Sequence, residues 1–304
     1  MFPVIEVDPR KAEALEPLGT KRKFWYSDQG RRILFKAEER GTGEDWAEKI
    51  ACELAQLLGL PHVHYELAEE VQNKTPGVVC ENCAPLPWAL VLGNQLLLAR
   101  DPNYPATDGR KYKVRAHTVD AVAEIIGGLQ LPPEPWIGLL PQGIKTALDV
   151  FTGYLLLDAW IANQDRHHEN WGALRRGDTL YLAPTFDHGA SMARNVTDQE
   201  RQERLTTRDA NRRVAAFARK ARSAFYAGIG NTKPMSTVEA WKAFAARTPQ
   251  AASIWRERLR QLNEQAVDQL LKEIPPHRMT TVCRQFTMEL LTENQKRLVH
   301  GDDE

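Results

Sequence analysis

Cysteine is scarce in this chain, four in 304 residues, which excludes a disulfide scaffold and fits a reducing compartment better. No run approaches the roughly 18 uninterrupted apolar residues that a membrane span requires. The richest stretch, Ala89 to Ala99, is broken by Gly93, Asn94 and Gln95. The first ten residues carry Glu6 and Asp8 and lack the basic start and apolar core of a signal peptide, so a cytoplasmic location is expected. Charge of one sign is not in excess either: 40 Lys+Arg balance 40 Asp+Glu. That balance argues against a surface built as a whole for DNA or an anionic membrane and leaves room only for local basic patches. There is no internal repeat and no G-x-x-x-x-G-K-[ST] phosphate loop.

What remains is ordinary globular material, 42% hydrophobic, enough for one large domain or two small ones. Lys23–Tyr26 and Arg32–Lys36, joined by a turn at Asp28-Gln29-Gly30, read as a hairpin of aromatic and branched residues. Thr42 and Asp45 resemble a capping box. Trp46, Ala47, Ile50, Ala51, Leu54, Leu57 and Leu58 follow at helical spacing until Gly59 stops the run. His62–Leu67 and Gly77–Cys80 predict two more strands. Residues 1–83 are thus expected to form a small antiparallel sheet with one helix. Residues 84–304 are expected to form a larger, mainly helical part: a Pro/Gly-rich join with a helix between Thr118 and Ile126, a helix over 146–162 that is apolar almost all round, and a helical end from Ser236.

The chemistry is concentrated after the apolar helix, in Asn163-Gln164-Asp165-Arg166-His167-His168-Glu169-Asn170 and the hairpin that follows it to Asp187-His188-Gly189. Two strands of about five residues, rising ~3.3 Å per residue, return the chain to its starting level, so Asn170 at the entrance and Asp187 past the exit should face one point. An Asn and Asp pair suits Mg²⁺, which takes one or two such oxygens plus phosphate and water. Asp165 adds a carboxylate able to orient or deprotonate a hydroxyl. Together these are a minimal set for phosphoryl transfer from a nucleotide.

The order Asp-Arg-His-x-x-Asn, hairpin, Asp-x-Gly resembles both the HipA-like serine/threonine kinases and the phosphoinositide lipid kinases. The wider string from Leu157 to Gly172, followed by Leu182-Ala183-Pro184 and Asp187, looks like the HipA-like version. The resemblance covers residues of about 19 to 230. It implies an α+β, two-lobed protein-kinase-like fold that uses ATP and Mg²⁺, with Asp165 as the catalytic aspartate and Asn170 and Asp187 holding the metal. It further implies that the backbone of Cys80, Glu81 and Asn82 meets the adenine where the lobes join.

Upstream, Lys36 ends an apolar strand where a cation on the α/β-phosphates is needed. Glu48, one turn into the next helix, is placed to pair with it and matches the acidic helix position of HipA-like kinases; Glu44 is the alternative. His167 either contacts the phosphates or the metal-binding aspartate, or braces the loop. Arg166 is read as holding the loop's shape. Gly19-Thr20-Lys21 is a weak candidate for the phosphate-covering turn, with Thr20 the nearest candidate for autophosphorylation.

Other features are given plain readings. Cys80-x-x-Cys83 would need two more zinc ligands at matching spacing, which Cys52 and Cys283 do not offer. His62, His64, His117, His277 and His300 show no ligand spacing and read as ordinary core or surface residues. The arginines between Arg201 and Arg222 form either a solvated helix face or a basic groove for an acidic acceptor.

The expected function is a serine/threonine protein kinase, with a translation-related enzyme as substrate by resemblance alone. A phosphoinositide kinase, a small-molecule phosphotransferase and a non-catalytic nucleotide-binding module are the rivals. Full-length HipA proteins carry an N-terminal subdomain ahead of the kinase core, and this chain begins almost at the core, so an antitoxin partner is in doubt.

Overall fold

The computed structural model describes residues 1–16, 22–107 and 113–300. Its first sheet contains β1 (Val4–Val7), β2 (Ala14–Leu15), β3 (Lys23–Asp28), β4 (Arg31–Ala37), β5 (Tyr65–Glu70) and β6 (Thr75–Glu81), in the order β1-β5-β6-β4-β3-β2. The predicted hairpin is β3–β4. Gln29 and Gly30 at its tip both have positive φ, 47° and 76°, which matches the right-handed twist of the strands it joins. The sheet is mixed rather than antiparallel, because β1 pairs parallel with β5, Val4 opposite Leu67. β1 and β2 escaped the sequence reading for a physical reason. They are short and mostly exposed, and Val7 is the one buried residue in β1, so neither carries an alternating pattern of its own.

Alternation along the strands sorts the sheet into two faces. Phe24, Tyr26, Ile33, Phe35 and Val79 form a core on one side. Leu34, Tyr65, Leu67, Val78 and Cys80 pack on the other, against α1 (Glu44–Leu58), which buries Trp46, Ile50, Leu54 and Leu58. Gly59, with φ +78°, closes the helix as expected. Its start departs from the expected capping box. Gly43 is the cap residue, and Glu38 accepts the Glu44 N–H at 2.6 Å, while Thr42 is bonded by Arg194. A carboxylate from the preceding strand end replaces the local cap, a substitution that sequence spacing does not display.

The remainder is organised around one buried helix. The segment read as a loop-rich join holds β7 (Ala89–Leu92) and α2 (Gly93–Arg100) besides the expected helix, α3 (Val119–Gly127). Next come α4 (Ala147–Trp160) and the hairpin β8 (Gly172–Arg176) and β9 (Thr179–Leu182), which with β7 makes a three-stranded sheet. The helices α5 (Asp198–Thr206), α6 (Val214–Ala218), α7 (Thr237–Ala245), α8 (Pro249–Arg260), α9 (Glu264–Glu273) and α10 (Thr281–His300) complete the chain. Gly93 sits where a Cβ would come within 2.3 Å of the Trp171 ring, so the strand-to-helix break at that point is set by close packing.

α4 is capped by Thr146, whose hydroxyl accepts from Asp149 N while Asp149 accepts from Thr146 N. Val150, Phe151, Leu156, Leu157 and Trp160 are fully buried, each contributing about 1.5–3 kcal/mol, against α7, α8 and α10. A helix held on all sides gives its C-terminal loop a rigid base. The sheet and the helices are tied together by Arg278, which is 3% exposed and donates to Asp45 at 2.9 Å and to Ala68 O at 2.7 Å. Among the described residues no helix is long and apolar enough to cross a membrane.

Candidate active site

The loop after α4 is assembled around Arg166, which is 1% exposed. Its guanidinium makes two parallel bonds to Asp158, of 2.7 and 2.8 Å, and its third nitrogen donates to Asn170 O at 2.7 Å. Asn163 donates to the same carboxylate, and its own oxygen accepts from Asp165 N at 3.1 Å. The side-chain amide of Asn170 donates to Asp165 O at 2.8 Å, which leaves its carbonyl oxygen as the ligand end. Arg166 therefore shapes the loop from inside, as its residue type suggested. His167 accepts from Glu169 N through Nδ1, so the proton lies on Nε2, 3.2 Å from Asp165 Oδ1. It thus lies against Asp165 within the loop, and it also lines the cleft.

The hairpin brings the second half of the site back as expected. Ala183 N donates to Gly172 O at 3.0 Å, closing the base of β8–β9. Asp187 then takes a left-handed conformation, φ +60°, which Asp tolerates better than most residues. Lys36 Nζ lies 3.4 Å from Asp187 Oδ1, 3.8 Å from Glu48 Oε2 and 3.1 Å from the Tyr65 hydroxyl. Burial alone would lower the Lys36 ammonium, but Asp187 and then Tyr65 and Glu48 outweigh it and hold it well above the ordinary lysine value. Burial would likewise raise Glu48, and Lys36 followed by a hydrogen bond from His188 brings it below its usual range. Glu44, the alternative partner, pairs with Arg194 instead.

These residues line one cleft of about 780 Å³ between the sheet and the helices, with Asp165, His167, Asn170 and Asp187 on its floor and Lys36 and Tyr65 on its roof. Leu34, Val63, Leu90, Leu92 and Phe186 supply an apolar flank. Cys80, Glu81 and Asn82 border the same cleft at the end of β6. Asn82 N already donates to Arg32 O, at 2.9 Å, and burial pushes the Cys80 thiol up to about 12.

The cleft also contains a residue the sequence reading missed. Lys23 stands directly opposite Lys36 in the β3–β4 register and lines the same space. Burial, then the neighbouring Lys36, lowers its ammonium. Register within the hairpin was the only signal that could have found it. Gly19-Thr20-Lys21 lies outside the described residues. The basic stretch is partly self-neutralised: Arg201, Arg204 and Arg212 pair with Asp198, Glu200 and Glu203. Away from the cleft, His62 and His64, expected to be unrelated, converge on Cys52.

No family model matches the chain, and no curated protein matches it in sequence. Solved structures do match. The Helicobacter pylori proinflammatory kinase CtkA superposes over 98% of this chain and 96% of its own length, with a TM-score of 0.73 and 18% identity. HipA of the Shewanella oneidensis MR-1 toxin–antitoxin system, solved with HipB and operator DNA, superposes over 94% of this chain and 65% of its own length, with a TM-score of 0.56 and 12% identity. At such identities the likeness is one of fold. The α+β, two-lobed kinase-like fold implied by the resemblance is the fold this chain has.

Proposed function

We propose that the chain is a phosphotransferase that moves the γ-phosphoryl group of ATP, with Mg²⁺, to a serine or threonine hydroxyl of a protein. The observation that carries the reading is the convergence of Lys36, Glu48 and Asp187 in one ion-paired cluster, on the cleft that also holds Asp165 and Asn170. The fit to a hard cation is chemical: the residues gathered on the floor beside Asp187 offer an amide carbonyl and carboxylate oxygens and no sulfur. Asn170 and Asp187 would hold Mg²⁺ together with phosphate oxygens, and when bound it neutralises charge on the phosphates.

The chain's own groups supply the rest. Lys36 and Lys23 place positive charge over the phosphates, and Glu48 aims Lys36. Asp165 accepts the proton of the acceptor hydroxyl as its oxygen bonds to the γ-phosphorus and the bond to the bridging β–γ oxygen breaks, releasing ADP. His167, with Nε2 3.2 Å from Asp165 Oδ1, steadies that carboxylate. The apolar flank at Leu34, Val63 and Leu90 would take the adenine, with the run from Cys80 to Asn82 at its edge. A protein acceptor is favoured by the similarity of the loop string to HipA-like kinases.

The test is transfer from γ-labelled ATP with Mg²⁺ into a protein extract, comparing the wild type with Asp165→Ala and Asp187→Ala. Labelled protein bands in the wild-type lane alone are expected. Label appearing only in phosphoinositide vesicles or in small alcohols would replace the protein acceptor by that class, and ATP binding without transfer to any acceptor would overturn the reading.

A further inference from the structure

Cys52, His62 and His64 present one ligand atom each, all within 4.8 Å of one another. They come from the last turns of α1 and from the extended segment entering β5, where alternation puts His62 and His64 on the same side. The Cys52 sulfur lies 3.7 Å from His64 Nδ1.

The hydrogen bonds around the three residues fix which atoms are offered. His62 Nδ1 lies 2.7 Å from the Leu60 carbonyl, which can only accept, so that nitrogen carries a proton and Nε2 is the one left for the cluster. His64 Nε2 lies 2.6 Å from Glu66 Oε1, again an acceptor, so Nδ1 is the nitrogen that faces the sulfur. Glu66 is itself held by Lys49 at 2.9 Å. The Tyr65 amide donates to the sulfur at 3.4 Å. Two imidazole nitrogens therefore converge on one sulfur, and the hydrogen bond to Cys52, then the one to Glu66, hold the His64 imidazolium up at about 10. Burial would raise the Cys52 thiol, but hydrogen bonds from His62 and His64 bring it down to about 7.

We propose that Cys52, His62 and His64 bind a zinc ion, with the fourth position open to solvent beside His64. A metal cation would take the place of the proton held between the sulfur and the imidazole, and a thiolate with two imidazoles is a donor set that zinc accepts and Mg²⁺ does not. Tetrahedral zinc, with bonds of about 2.3 Å to sulfur and about 2.0–2.1 Å to nitrogen, needs ligand atoms separated by roughly 3.3–3.7 Å. The Cys52–His64 pair already stands at 3.7 Å. The remaining closure is between this pair and the buried His62. The anchoring of each imidazole by a carbonyl or a carboxylate is the outer layer that metal-binding histidines require. Cys52 lies one turn beyond Glu48, and His64 adjoins Tyr65, so the ion would clamp the helix and the strand that flank Lys36.

The test uses the full chain after chelation, with Co²⁺ as the probe and Zn²⁺ as competitor, and reads no enzymatic activity. One equivalent of Co²⁺ is expected to give a thiolate-to-metal charge-transfer band that one equivalent of Zn²⁺ abolishes, and Zn²⁺ is expected to raise the melting temperature. Cys52→Ser and His64→Ala should lose the band, and the exposed position of His64 makes its variant independent of folding defects. Glu66→Gln should weaken binding by about 10–100-fold. A double Cys80→Ser/Cys83→Ser variant should keep the band. The proposal is overturned if the wild type shows no band, or if the band survives in His64→Ala or disappears with Cys80 and Cys83.

Discussion

The amide N–H of His188 donates to Oε1 of Glu48 at 2.7 Å, while Oε2 of the same carboxylate faces Lys36 at 3.8 Å. One buried acid on α1 thus holds both the cation on β4 and the backbone beside Asp187. Glu48→Gln keeps the side chain's size but removes its charge, and should lower kcat/KM for ATP by about tenfold to a hundredfold, equivalent to roughly 1–3 kcal/mol. Steady-state kinetics would show it, and an unchanged kcat/KM would remove Glu48 from the site.

Lys36 and Asp165 should separate binding from transfer. Lys36→Met removes the charge that faces the phosphates, so calorimetry should show weaker ATP binding along with lost activity. Asp165→Asn should retain ATP affinity and lose about 10²–10⁴ in turnover. Equal loss of ATP affinity in both variants would contradict the division of roles.

Arg166 is a prediction about stability rather than chemistry. Arg166→Met leaves Asp158, 3% exposed, as an uncompensated buried charge. It should cost about 3–5 kcal/mol by denaturant unfolding. Adding Asp158→Leu should recover much of that loss, because the unpaired charge is removed with it. A double variant no more stable than the single one would show that the loop, and not the buried charge, sets the cost.

His117 should make the fold acid-sensitive. Its Nδ1 donates to Ala224 O and its Nε2 accepts from Trp171 Nε1, so a second ring proton would place two donors face to face. Burial depresses this imidazole from 6.5 to about 3. The unfolded chain then binds a proton that the folded chain refuses. Stability is complete above pH 6.5 and falls as the pH drops toward about 3, at up to about 1.4 kcal/mol per unit. Unfolding at pH 6.5 and at pH 5 should differ by roughly 2 kcal/mol on this account. His117→Gln should flatten that difference, and an unchanged slope would assign it to other groups.

Much of the fold was legible where the signal is local. The β3–β4 hairpin follows from Asp28-Gln29-Gly30 between two apolar runs, and α4 from a capped segment that is apolar all round. The loop from Asn163 to Asn170 and the hairpin to Asp187 could be read together because two strands of equal length must return to their start. β1 and β2 were not legible, since they exist only by pairing with β5 and β3 and bury almost nothing themselves. The cap of α1 was misread because Glu38 supplies from outside the helix what Thr42 was expected to supply from within.

What the sequence determined by itself is the identity and order of the groups proposed to react, because turn chemistry, strand length and helix periodicity act over a few residues. The tertiary structure alone decided which groups meet. It chose Glu48 over Glu44 and gathered Cys52 with His62 and His64. Each of those contacts rests on packing between separate elements, and spacing within one element carries no record of such distances.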